Sequence, residues 1–234
     1  MRINNSIHFS YWQFPLFLGS LLVFMNYSGI SFLTELISPD VNREFGLLEN
    51  LQLLLIASSL VYLVKAIRLK DFWFEKLAYV GLCLFFLLLF LEEIDYGIHY
   101  YEYFVKGVEE DKGIVRNFHN QGDNNYYLRQ ASYAVMVLLF VVMPFFRNKI
   151  KNNLFHHLAA SHYIIYSFIV YIFIGQLSRW LPKLGMPINE SLRGNHQEFE
   201  ELILYYIILL FVYEIAFQKK PLFTAKGKLQ RSSE

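Results

Sequence analysis

Six long apolar runs constrain this chain more than any other feature. They lie at about 14–37, 48–67, 73–94, 129–147, 157–181 and 200–217. Each is long enough to carry a helix across the ~30 Å hydrocarbon core of a bilayer. A backbone inside lipid finds no water, so a crossing segment must satisfy its own amides, and a helix does so within one run. A β-barrel would instead show short segments of alternating polarity. The runs fill more than half of the 234 residues and leave no room for a separate soluble domain. The expectation is an all-α fold, one transmembrane domain over residues 1–234, with a bundle of about six helices and a long outer loop at 95–125. Only Arg2 is basic ahead of the first run, and no A-x-A-like cleavage site follows it. That run is therefore expected to stay as a span and not to be removed as a signal peptide.

Composition narrows the function classes. Charged residues make up 18% of the chain, against about 25% in soluble domains. The 23 Phe and 17 Tyr exclude intrinsic disorder. Cys83 is the only cysteine, which excludes a disulfide scaffold. A net charge of +1 gives no basic footprint, so no nucleic-acid partner is expected. The expected partner is the lipid bilayer, and a protein partner is not specified.

Charge also gives an orientation. Lys65, Arg68, Lys70 and Lys76 surround the second connection, Arg147, Lys149 and Lys151 the fourth, and Lys219, Lys220, Lys226, Lys228 and Arg231 the tail. With Arg2, 13 of the 21 basic residues fall on one side. The positive-inside rule makes that side cytoplasmic, with both termini in, as an even number of spans requires. The expected location is the inner (plasma) membrane, multi-pass. Of the 20 acidic residues, 16 fall at the outer side.

Four polar clusters converge on that outer boundary. Glu49 and Gln52 start the second run, with Glu35 near the end of the first. Glu92, Glu93, Asp95 and His99 end the third; if the helix continues, Glu92, Asp95 and His99 share a face. His119, Asn120, Gln121, Asp123 and Asn125 lie in the loop, and His196, Glu198, Glu200 and Glu201 lead into the sixth run. Adjacent Glu92 and Glu93 repel unless one is protonated or a cation is shared. Carboxylates with a few imidazoles suit a hard or borderline divalent ion, and Glu92, Glu93, His196 and Glu200 are the candidate metal ligands. Each residue also has a plainer role. Glu49 would be favoured as a first-turn acid by the helix dipole alone. Arg179, beside Trp180, is either an interfacial anchor or a binder of an anionic headgroup. On the inner side, His162 and Glu214 could pair inside the bundle.

These residues carry a resemblance. Arg43-Glu44-Phe45-Gly46-Leu47-Leu48-Glu49-Asn50-Leu51-Gln52 resembles the R-E-D-G-x-x-E-W-L-Q run of an uncharacterised group of bacterial polytopic membrane proteins. That group carries E-E-I-S-W-G-Q-R at a span end. Here Glu92, Glu93, Ile94 and Gly97 match, while Asp95, Tyr96, Ile98 and His99 depart from it. Gln121-Gly122-Asp123-Asn124-Asn125 is similar to the group's N-x-Q-G-E-x-N-L-H-N loop, with Tyr127 where the group has His. The resemblance covers roughly 43–128, more weakly 198–201, and implies a shared outer-face site without naming a reaction.

Three functions follow as expectations. The first is a metal-assisted enzyme on a lipid or lipid-linked substrate. Its catalytic candidates are Glu93, Glu92 and Glu49, and Gln52, Asp95, His99, Asn120, Gln121, Asp123, Asn125 and Arg179 form a polar network. The second is a transporter or cation pathway, and the third a non-catalytic membrane subunit of an envelope or defence assembly.

Overall fold

The computed structural model describes residues 9–37, 46–101, 104–105, 124–150, 153–185 and 192–218. Every regular element among them is helical. In chain order these are α1 (Phe14–Tyr27), α2 (Ser31–Leu36), α3 (Leu47–Leu69), α4 (Trp73–Glu93), α5 (Ile98–Tyr101), α6 (Asn124–Val137), α7 (Met143–Phe146), α8 (Asn153–Leu158), α9 (Ile164–Trp180) and α10 (Leu192–Tyr213). Three π-helical segments, Phe9–Gln13, Leu138–Val142 and Glu214–Gln218, continue α1, α6 and α10.

Three helices are long and apolar enough to cross a membrane: Leu47–Leu69, Trp73–Glu93 and Gln130–Lys149. They correspond to the second, third and fourth expected runs. The helices at the other three runs depart from expectation, each for a local reason. The first run breaks after Tyr27, because Gly29 adopts a left-handed φ of 69°. Ser28 closes that corner: its hydroxyl donates to the Met25 carbonyl (3.0 Å) and accepts from the Ile30 amide (3.1 Å). The fifth run breaks between Leu158 and Ile164, leaving a helix of 17 residues. The sixth begins earlier than expected, at Leu192. In the fourth, Pro144 has no amide to give the preceding turn, and the π segment Leu138–Val142 lies directly before it.

The chain divides into two compact units, Met1–Leu55 with Ala160–Ile215, and Ile56–Ala159 with Ala216–Glu234. In the first unit, α9 and α10 pack side by side and α1 lies against both. Phe168, Ile174, Phe199, Leu202, Ile203 and Ile207 form its centre, each almost completely buried. Gly19 lets α1 approach closely, since a Cβ there would lie 2.7 Å from Ile174 and 3.3 Å from Ile203. In lipid, apolar burial itself drives little association, so such close backbone approach and polar contacts decide which helices pair.

In the second unit, α4 buries one narrow stripe, Glu75, Tyr79 and Phe86. Its other faces, with Trp73, Leu77, Leu84, Phe85 and Leu88, are exposed. Lys70, in the turn before α4, is buried with its Nζ 3.7 Å from Glu75 Oε1 and 5.2 Å from the centre of the Tyr79 ring. Burial pushes the Lys70 ammonium below the usual lysine range, and the Glu75 carboxylate opposes that fall. The folded state thus disfavours the charged lysine. Stability in this turn should rise with pH between the lowered value and the ordinary lysine value of about 10.4. Removing one partner strands the other charge. Lys70→Met should cost about 3 kcal/mol in detergent unfolding, and pairing it with Glu75→Leu should recover that loss. A single substitution without cost would refute the pairing.

Candidate functional site

The polar residues expected at the outer face fall on both units, and each unit arranges its own. On the first, α3 begins with Glu49 in its opening turn, where the exposed amides favour an anion. One turn on, Gln52 is buried at 1% exposure. Its Nε2 donates to Glu198 twice, to the carboxylate Oε2 at 3.0 Å and to the backbone carbonyl at 3.3 Å. Two acceptors fix which end of the amide faces Glu198, because the carbonyl end would meet two oxygens. The opposite atom, Gln52 Oε1, is buried and has no hydrogen-bond partner among the described residues. A buried acceptor left in this way needs a donor or a cation.

Glu200 sits two residues after Glu198, so the two side chains leave α10 on different sides. Glu200 packs onto α9 at Gly175, and a Cβ on Gly175 would occupy the space of the Glu200 carboxylate. The glycine is thus the seat of that carboxylate. His196 lies one turn before Glu200 on α10.

On the second unit, α4 ends at Glu93. The expectation that one continuous helix aligns Glu92, Asp95 and His99 is corrected here. Tyr96 has a left-handed φ of 53° and Gly97 one of 80°, which turns the chain between α4 and α5. An aromatic residue in that region is strained by roughly 1–3 kcal/mol. The Tyr96 hydroxyl donates to the Glu92 carboxylate one turn back, which offsets that strain and eases the repulsion between Glu92 and Glu93. Both glutamates are half-buried.

Asn120, Gln121 and Asp123, and His119 with them, lie outside the described residues. The side chains of Asp95, His99, Asn125, Arg179 and His196 also lie outside what is described. Among the described residues, no three His, Cys, Asp or Glu side chains gather closely enough to hold a metal ion.

A second buried cluster lies at the other end of α10. Glu214, 1% exposed, accepts the Tyr11 hydroxyl at 2.5 Å and the Ser161 hydroxyl at 2.5 Å on Oε1, and the Ser161 amide at 2.7 Å on Oε2. The expected partner His162 is exposed and is not bonded to Glu214; its neighbour Ser161 takes that place. The Tyr11 segment is pinned in turn, since Ser167 donates its hydroxyl to the Tyr11 carbonyl and Tyr206 to the Ser10 carbonyl at 2.8 Å.

In the sequence Glu198 stands only as one acid of its cluster, and Tyr11 and Ser161 carry no signal of their own. Gly175-Gln176 does interrupt an otherwise bulky apolar run, which was the available signal for the Glu200 seat. Comparison of the chain with protein-family models, curated proteins and solved structures returned no match.

Proposed function

We propose that this chain is a multi-pass protein of the bacterial inner membrane, with six spans and both termini in the cytoplasm. Its working surface is an acceptor-rich site at the extracytoplasmic face. The reading rests on the apolar runs, on 13 of 21 basic residues falling at one set of ends, and on 16 of 20 acidic residues falling at the other. Orientation has a direct test. With Cys83→Ser as background, Glu110→Cys should react with a membrane-impermeant maleimide added to spheroplasts, and Lys226→Cys only after lysis. The reverse pattern would refute the orientation.

The activity we propose is metal-assisted chemistry on a lipid or lipid-linked substrate. The observation that carries it is the Gln52 clamp on Glu198, with Gln52 Oε1 left over as a buried acceptor. An all-protein cage does not form among the described residues. The donor set fits an ion such as Mg²⁺, which takes one or two carboxylates and fills its shell with water and substrate phosphate oxygens. When bound, such an ion polarises a phosphoryl or acyl oxygen. Glu198 would hold it, and Glu49 in the opening turn of α3 would shape the local field. Gln52 orients Glu198, and Gly175 gives Glu200 its place.

Elemental mass spectrometry of the purified protein tests this. Near-stoichiometric divalent metal is expected in the wild type, with a loss of about tenfold or more in affinity in Glu198→Gln. Absence of metal from the wild type would overturn the mechanism. A cation pathway is the second reading, favoured by Glu214, an ionisable group buried in the same unit.

A further inference from the structure

The turn between α3 and α4 sorts its charges by depth. Lys70 and Glu75 go inside together, with side chains 2% and 5% exposed and Nζ 3.7 Å from Oε1. That pairing takes out of reach the one acid in the first turn of α4. Lys65, Arg68 and Lys76 stay exposed, as does Asp71. None of these four forms an ion pair among the described residues. Three cations against one anion leave the exposed face of the turn positive. Trp73 and Phe74 lie beside them, both exposed, with rings stacked 3.7 Å apart. Side chains three apart share a helix face, so Lys65 goes with Arg68 on α3, and Trp73 with Lys76 on α4. Phe72, at the N-cap of α4, brings no side-chain acceptor to the first-turn amides. The combination of base and aromatic recurs at the end of the third long apolar helix, Gln130–Lys149. There Lys149 holds its Nζ 5.8 Å from the centre of the exposed Phe146 ring.

We propose that the α3–α4 turn is a binding site for an anionic phospholipid, a site that rests on the membrane reading above. The ligand is the headgroup phosphodiester of a lipid such as phosphatidylglycerol. One membrane-length helix ends at Leu69 and the next begins at Trp73, so the turn lies where headgroups meet acyl chains. Tryptophan is favoured at that depth, with its ring in the apolar layer and its N–H in the wet one. Arg68 presents a planar fork that matches two phosphate oxygens, and Lys65 and Lys76 add point charges on flexible stems. The start of α4 adds amides that favour an anion. Basic residues next to a span attract anionic lipids in this way. Along α4, exposed Leu77, Leu84 and Leu88 offer a surface to the acyl chains. A zwitterionic headgroup carries an ammonium that the three cations repel, so lipid class decides binding. The buried Lys70–Glu75 pair is what keeps the face positive. A buried ion pair is weak evidence for stability; here it removes a carboxylate that would otherwise stand next to Lys76 and cancel it.

Native mass spectrometry of the full-length protein in detergent tests the site, with dioleoyl phosphatidylglycerol and dioleoyl phosphatidylcholine added in turn. The wild type should bind phosphatidylglycerol about tenfold more tightly, and Arg68→Gln with Lys76→Gln should abolish that difference. Both positions are exposed, so the double variant keeps its core. Lys183→Gln, the same kind of change on an exposed lysine outside the turn, should leave the difference intact. Excess inorganic phosphate should not displace the lipid. Equal binding of the two lipids by the wild type overturns the site, and so does a difference that survives in the double variant. Loss of the difference in Lys183→Gln, or displacement by phosphate, overturns it as well. Extraction of the wild type from membranes by alkaline carbonate would overturn the membrane reading and the lipid site with it. Equal lipid binding by a protein that resists extraction overturns the lipid site alone.

Discussion

Glu214→Ala should lower stability by about 4 kcal/mol, one of the largest effects of any single substitution in this chain. The truncation removes the acceptor for the Tyr11 hydroxyl, the Ser161 hydroxyl and the Ser161 amide together. Each buried donor left without a partner costs about 1–3 kcal/mol, and part of that is regained where Ser161 reaches water. Glu214→Gln should cost far less, about 1 kcal/mol. Its carbonyl can take the Ser161 amide, and its NH₂ then faces two hydroxyls that can turn to accept. The contrast between Ala and Gln separates a hydrogen-bonding role from one that needs charge. Thermal unfolding in detergent measures both, and equal losses for the two variants would show that the bonds to Tyr11 and Ser161 carry little weight. The effect reaches far along the sequence, because Tyr11 and Glu214 are 203 residues apart.

That separation explains what the sequence could and could not reveal. Apolar length predicts helices well when one run is one helix, as at α3 and α4, where the expected and observed bounds differ by two residues or fewer. It fails where a run hides a corner. Ser28-Gly29 is a turn signal inside the first run, and Ala159–Tyr163 a weaker one inside the fifth. Both corners are functional in the fold, since the second delivers Ser161 to Glu214. The π segments add a different difficulty. An extra residue in a turn rotates every later side chain, so a face read at 3.6 residues per turn is wrong beyond it. Glu214 opens such a segment, and it is Ser161, in the corner between Leu158 and Ile164, that meets it in place of His162. At the start of α3, the polar type was legible and the partnership was not. Gln52 and Glu198 stand in clusters that composition picks out, but only packing of α3 against the start of α10 selects Glu198 over Glu200. Tyr96 had no sequence signal as a break, because an aromatic residue is the wrong type for a left-handed position.

Gly19→Leu should cost about 3 kcal/mol and disturb the packing of the first unit. The glycine faces Ile174 and Ile203, both almost fully buried, and even a bare Cβ would stand 2.7 Å from two carbons of Ile174. A β-branched isoleucine is stiff at χ1 and held on all sides, so it cannot swing away as the end of a glutamate can. The helices must separate instead, and overpacking of this kind costs about 1–3 kcal/mol, with leucine at the upper end. Gly19→Ala should cost about 1 kcal/mol. Shortening the neighbour should rescue it: Gly19→Ala with Ile174→Ala should be more stable than the sum of the two losses predicts, because the new methyl fills part of the cavity that Ile174→Ala leaves. Strict additivity in that cycle would refute the contact. The consequence extends to the polar end of the helix. Phe9–Gln13 continues into α1, so pushing α1 off α9 and α10 should also stretch the Tyr11–Glu214 bond.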